Sequence, residues 1–180
     1  MDAVVFSSRT APTDPEDAMA LIEISLHLPN RPGQLVGVAR LLAEKHINVA
    51  SIHVAPKGVR GNVRIVVSDP KTALKVLRGA GYEIETRELI AVRLEDRAGS
   101  FLRVLNCLAE HRINIQHIVI LVQREGRRSL VALGVDRLTL ARQVLRDAGF
   151  LSPGAERLVS NADLVAGVPA IPSESVGFML

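Results

Sequence analysis

Two short stretches bring together residue types that can do chemistry: Asn30-Arg31-Pro32-Gly33-Gln34-Leu35 and, 66 residues on, Asp96-Arg97-Ala98-Gly99-Ser100-Phe101. Each follows an alternating apolar run and precedes a helical one, so each is a strand-to-helix turn. The first N–H groups of such a helix lack intrahelical partners and lie at the positive end of its dipole. That arrangement suits an anion, for instance a carboxylate. Gly33 lets a ligand or a neighbouring backbone approach closely, and Pro32 pre-sets φ near the first helical turn. Asn30 or Asp96 offers an acceptor, either to an ammonium group or to the helix end. Taken alone, the same stretch is also a well-made turn with no ligand.

The recurrence extends beyond the turns. Aligning 28–49 with 94–115 matches Leu28, Arg31, Gly33, Val38, Leu42, Ala43, Glu44, Ile47 and Asn48 with Leu94, Arg97, Gly99, Val104, Leu108, Ala109, Glu110, Ile113 and Asn114, nine identities in 22 positions. Chance would give about one or two, so the chain contains an internal duplication.

Before the first turn, Ile22, Ile24, Leu26 and Leu28 alternate with Glu23, Ser25 and His27, the period of a half-buried strand. Gln34 to Lys45 places Leu35, Val38, Ala39, Leu42 and Ala43 on one side of a helix. A left-handed residue at its end would suit glycine, yet His46 and Arg112 stand there. Asn48 and Asn114, just beyond, are therefore either ligand contacts or side chains that hold the turn.

Val49 to Val54 and Val63 to Val67 read as strands around a loop with Pro56, Gly58 and Gly61, and Asp69-Pro70 opens a second helix as N-cap and first residue. Tyr82 to about Thr86 reads as a fourth short strand, and Glu88 to Leu94 restarts the cycle almost without a linker. The order βαββαβ, twice, gives an α+β fold of two ferredoxin-like units, each an antiparallel sheet with helices on one face.

The expected division is a mobile arm over 1–19, units over 20–86 and 87–152, and an irregular tail over 153–180. Ser152-Pro153-Gly154 interrupts where the second unit's last strand should run. That edge needs a cover, which the apolar tail or a partner chain could supply. The run from Ile115 to Val122 is apolar on both faces, so something besides its own helices must cover one of them.

Composition narrows the chemistry. In 180 residues, Lys plus Arg 22 against Asp plus Glu 19 leaves +3, with no dense basic block. Aromatics are 3%, too few to supply base stacking, so direct nucleic-acid binding is not expected. Arg124, Arg127 and Arg128 read as a solvated hairpin tip. The single Cys107 aligns with Leu41, which marks it as a packed thiol.

The five histidines, at 27, 46, 53, 111 and 117, form no recognisable ligand pair, and no nucleophile or metal motif is present. No metal, no cofactor and no catalytic activity are expected. No apolar run spans a bilayer and no leader pattern opens the chain, so a cytoplasmic location without membrane contact is expected.

The strand into Asn30-Arg31-Pro32-Gly33-Gln34-Leu35, the string Leu42-Ala43-Glu44-Lys45-His46-Ile47-Asn48-Val49 and their second copies resemble the ACT domain, a small ligand-binding regulatory module. Over residues 20 to about 151 the chain resembles the free-standing tandem ACT proteins. The resemblance implies a homodimer that binds an amino acid at interfaces between paired domains and modulates a partner enzyme or regulator.

Carried over by position, it makes 30–35 the candidate site of the first unit and Asp96, Arg97, Ala98, Gly99, Ser100 and Phe101 that of the second. Ala98 departs from the usual Pro and Phe101 from a smaller Leu, so the second loop is either a site or a packing element. Two alternatives remain beside the sensor. One is a dissociable regulatory subunit of a biosynthetic enzyme, similar to that of acetohydroxyacid synthase. The other is a protein-docking module without ligand.

Overall fold

The computed structural model describes residues 21–95, 97–121 and 128–151. Ten elements follow in order: β1 Leu21–Pro29, α1 Gln34–Ala43, β2 Val49–Lys57, β3 Arg60–Val67, α2 Pro70–Gly79, β4 Ile84–Glu95, α3 Ser100–Glu110, β5 Ile115–Leu121, β6 Arg128–Val135 and α4 Leu138–Asp147. The strands form one antiparallel sheet in the order β2-β3-β1-β4-β6-β5. The first four strands have the ferredoxin-like order. The second copy repeats it through α4 and Leu151, and the expected break at 152–154, like the arm over 1–19 and the tail over 153–180, lies outside the described residues.

The two units meet inside a single strand. Where the sequence suggests a short strand to Thr86 and a new one from Glu88, β4 runs unbroken from Ile84 to Glu95. Its first half pairs with β1 (Ile84 opposite Leu26, Leu89 opposite Leu21) and its second half with β6 (Ile90 opposite Leu133, Glu95 opposite Arg128). The polar run Glu85-Thr86-Arg87-Glu88 reads as a break because none of its side chains is apolar. In the fold, however, Glu88 is held by Arg142 of α4.

Two cores lie under the helices, one built on Ile24, Leu26, Val63, Ile65, Leu42 and Leu77, the other on Ile90, Val92, Leu133, Leu108 and Leu145. A third cluster joins the opposite face of the sheet to itself: Leu21, Val66 and Leu89 pack with Val119, Leu121, Leu130 and Ala132. The sheet curls until β2 and β5, at opposite ends of its order, come within 8 Å. Burial of each such side chain is worth about 2 kcal/mol, which fixes the curl. This is the cover that β5 required: its inward residues Val119 and Leu121 are buried against the first unit, while Ile118 and Ile120 on the helix side stay exposed.

All four helices end alike. The chain reverses through a left-handed residue, His46, Gly81, Arg112 or Gly149. A pair of backbone bonds closes each end, as in His46 N–H to Ala43 O at 2.9 Å and Ile47 N–H to Leu42 O at 2.9 Å. The turn before Asn48 is therefore held by backbone. The Asn48 and Asn114 N–H groups donate onward to Ser68 Oγ and Asp136 Oδ1, each at 3.0 Å. The β2–β3 loop is also shorter than its Pro and Gly suggest, because Pro56 sits within edge strand β2, opposite Gly61, and only Gly58 and Val59 turn.

Candidate functional site

The two strand-to-helix turns are built to one plan. Gly33 (φ 84°, ψ −12°) and Gly99 (φ 86°, ψ −11°) are the helix N-caps, each in the left-handed region and each without a side-chain cap. Arg31 N–H bonds Pro29 O at 2.9 Å and Arg97 N–H bonds Glu95 O at 2.8 Å. A side chain at either glycine would be strained by backbone alone, which is why the turn needs glycine there. Helix α1 begins after Gly33, so Pro32 precedes the cap instead of opening the first turn.

At the first turn these residues border an open concavity of about 220 Å³, lined by the continuous stretch 28–35 together with Val54, Gly61 and Val63. All six first-unit candidates, Asn30, Arg31, Pro32, Gly33, Gln34 and Leu35, are among its walls. Asn48 is not; it lies at the far end of α1. The N–H of Gln34 turns back to Arg31 O at 3.4 Å and that of Val36 to Gly33 O at 3.0 Å. The N–H groups of Gly33 and Leu35 make no such bond among the described residues, which leaves two donors at the positive end of α1.

Asn30 is fixed by its own backbone N–H to Val59 O at 2.9 Å and by Nδ2 to Gly58 O at 3.2 Å. Since a carbonyl only accepts, Nδ2 is the donor there, and Oδ1 is left as an acceptor. Arg31 is exposed and enters no ion pair among the described residues. The site thus offers donors, one acceptor and a cation around an apolar floor.

The second turn differs in its side chains. Arg97 Nε is held by Glu95 Oε2 at 2.7 Å, a partner the first turn lacks because Pro29 stands in that place. Phe101 packs partly buried against the second core, and Ser100 is 4% exposed, its hydroxyl without a partner among the described residues. Gly99 and Ala98 are exposed at the turn, Asn114 is engaged with Asp136, and Asp96 lies outside the described residues.

Other reactive groups are placed for structure. Burial pushes the Cys107 thiol up, with Glu110 adding to the effect, away from a nucleophile's range. Among the described residues no group of three His, Cys, Asp or Glu is arranged to hold a metal ion, and no helix is long and apolar enough to cross a membrane. His27 and His53 share the curled face, separated by β3.

Sequence reasoning missed the polar knot on that face. His117 Nε2 lies 2.8 Å from Glu23 Oε2, with the two side chains 10% and 3% exposed, and Arg87 Nη1 lies 3.2 Å from His117 Nδ1. A guanidinium can only donate, so Nδ1 accepts and the ring is neutral. The Nε2 contact is close but not aligned as a hydrogen bond. Burial, then Arg87, Arg64 and His53, holds the His117 pKa down at about 4, and burial pushes the Glu23 carboxyl up against the opposing pull of Arg64 and Arg87. The alternation of Glu23 and His117 with apolar residues was the available signal, but nothing in it says that two strands three places apart in the sheet will meet.

The model of one protein family, described as an ACT domain pair, matches residues 19–150. The chain belongs to that family. Among solved structures, this ACT domain pair is similar to a protein from Bacteroides thetaiotaomicron, with TM-score 0.71 and 21% identity over 82% of this chain and 97% of that one. It is also similar to the ligand-free regulatory subunit of aspartate kinase from Thermus thermophilus, with TM-score 0.53 and 21% identity over 72% and 93% of the two chains. At these identities the likeness is one of fold. A sequence comparison with curated proteins gives no match.

Proposed function

We propose that this ACT domain pair is a non-catalytic sensor of a free amino acid and that the occupied form modulates a partner enzyme or regulator. The concavity at the first turn carries the reading. The Gly33 and Leu35 N–H groups and Arg31 take the α-carboxylate, and Asn30 Oδ1 accepts from the α-ammonium. The proposed working units are 20–86 and 87–152. The first holds the ligand, and the second turn, with Arg97 already paired and Phe101 packed inward, serves as structure. A regulatory subunit of aspartate kinase shares the fold over most of its length, which supports an amino-acid biosynthetic enzyme as the partner.

The assembly is a homodimer. Val36, Ile52 and Val54 in the first unit and Leu102, Ile118 and Ile120 in the second are exposed at matching positions, up to 68% for Ile120. Apolar patches of this kind mark interfaces, and a chain that offers the same patch twice suits pairing with its own copy. Sedimentation should give twice the chain mass of 19.5 kDa.

Thermal unfolding against each of the twenty amino acids tests the sensor. A ligand held only by the folded state stabilises it by about 2.7 kcal/mol at a hundred times Kd. One amino acid or a related few should raise Tm with concentration, and Gly33→Asp should abolish the rise. A flat response to all twenty with the fold intact would leave the docking-module reading in its place.

A further inference from the structure

We propose that the concavity selects an amino acid with a branched aliphatic side chain; this rests on the sensor reading above and adds the ligand class. Polar groups are confined to the turn. The floor is Leu28, Leu35, Val54 and Val63, with no acidic residue among the lining. A ligand whose carboxylate sits at the start of α1 must direct its side chain onto that floor, where a hydroxyl, an amide or a charge would lose water without finding a partner.

Gly61 supplies a second, independent observation. It lies within β3, opposite Leu28 on one side and Pro56 on the other, and its φ is not positive. A Cβ there would meet nothing nearer than Ala55 O and Leu28 O, both at 4.0 Å. Neither the backbone nor the packing calls for glycine, and a strand-interior glycine is otherwise a cost. What a side chain at 61 would occupy is the concavity itself. It shares the face of Val63 and Ile65, so it would project beside Leu28, where the ligand's side chain lies. In the second unit Phe101 and Ile120 stand where the first has Leu35 and Val54, and Phe101 packs against the second core instead.

Isothermal titration of the full chain with L-valine, L-isoleucine and L-leucine, against L-threonine, L-aspartate and L-lysine, reads the preference directly. Valine and threonine have nearly the same shape, so the pair isolates the polarity of the floor. The aliphatic amino acids should bind at least tenfold more tightly than threonine, and the ratio can reach about 100. Gly61→Val, a strand-favouring change at an unstrained position, should keep the unliganded Tm and weaken aliphatic binding at least tenfold. Val54→Thr, which also falls in the apolar patch of the proposed dimer, should keep the unliganded Tm and the dimer's sedimentation mass and narrow the valine-to-threonine ratio.

Tighter binding of threonine, aspartate or lysine would overturn the aliphatic class while leaving the sensor in place. Undiminished valine affinity in folded Gly61→Val would also overturn it, by putting the ligand elsewhere. Binding of none of the twenty amino acids would overturn both.

Discussion

The imidazole of His117 lies directly against the backbone of Gly134, its cross-strand partner: a methyl group at 134 would overlap Cε1 and come within 2.5 Å of Nδ1. The missing side chain on β6 is what lets the ring turn across the sheet toward Glu23 and Arg87. Gly134→Ala should therefore destabilise the protein by about 1–3 kcal/mol, since the ring must move off its partners or the strands must part. Urea denaturation checks the loss. In a double-mutant cycle with His117→Ala, the two changes should couple by more than the scatter of additive sites, because the second removes the clash that the first creates.

Acid titration should expose the same ring. With a pKa of about 4 when folded and 6.5 when free, His117 binds a proton more readily in the unfolded chain, so stability falls as pH drops from 6.5 towards 4. The contribution is about 2–3 kcal/mol across that window. Glu23 acts with the opposite sign. Its raised pKa means that the folded protein takes a proton first, which restores stability as pH falls. The difference between wild type and His117→Gln, followed from pH 8 to pH 4, should isolate the histidine as a slope that the variant lacks.

Two helix ends carry side chains in a conformation that favours glycine. His46 and Arg112 both have φ 54°. Replacing either by glycine should stabilise the protein by about 0.5–1 kcal/mol, the left-handed strain of an L side chain less glycine's extra entropy. An increase in the urea midpoint at unchanged slope is the expected reading. Gly81 and Gly149 already have the favoured residue, so the gain should be confined to the first helix of each unit.

Much of this was legible in the residues. The duplication, the order of elements and both Gly turns follow from spacing, because a strand period giving way to a helix period across a glycine is a local property. The closing of the sheet on itself was not. Val66 reads only as a strand residue and Leu121 as part of a run apolar on both faces, and which other face they and Leu21 meet depends on ladder order, which no single strand encodes. At the site, the turn showed itself through Asn30 to Leu35. Gly61 did not, since a lone glycine near a hairpin reads as part of the turn until the register places it inside β3. Asn48 and Asn114 read as ligand contacts or turn supports because an Asn after a helix fits both, and in the fold their backbones are committed to Ser68 and Asp136.

A duplicated chain is usually pictured as two bodies on a tether, each free to turn. Here the tether is absent, because the last strand of one copy is the first strand of the other. No cut between the copies leaves both whole: severing the chain anywhere from Ile84 to Glu95 takes backbone from one ladder or the other. β4 therefore behaves as an axle. A rotation of β1 is met by Ile84–Leu89, and the same unbroken strand continues as Ile90–Glu95 into the ladder with β6.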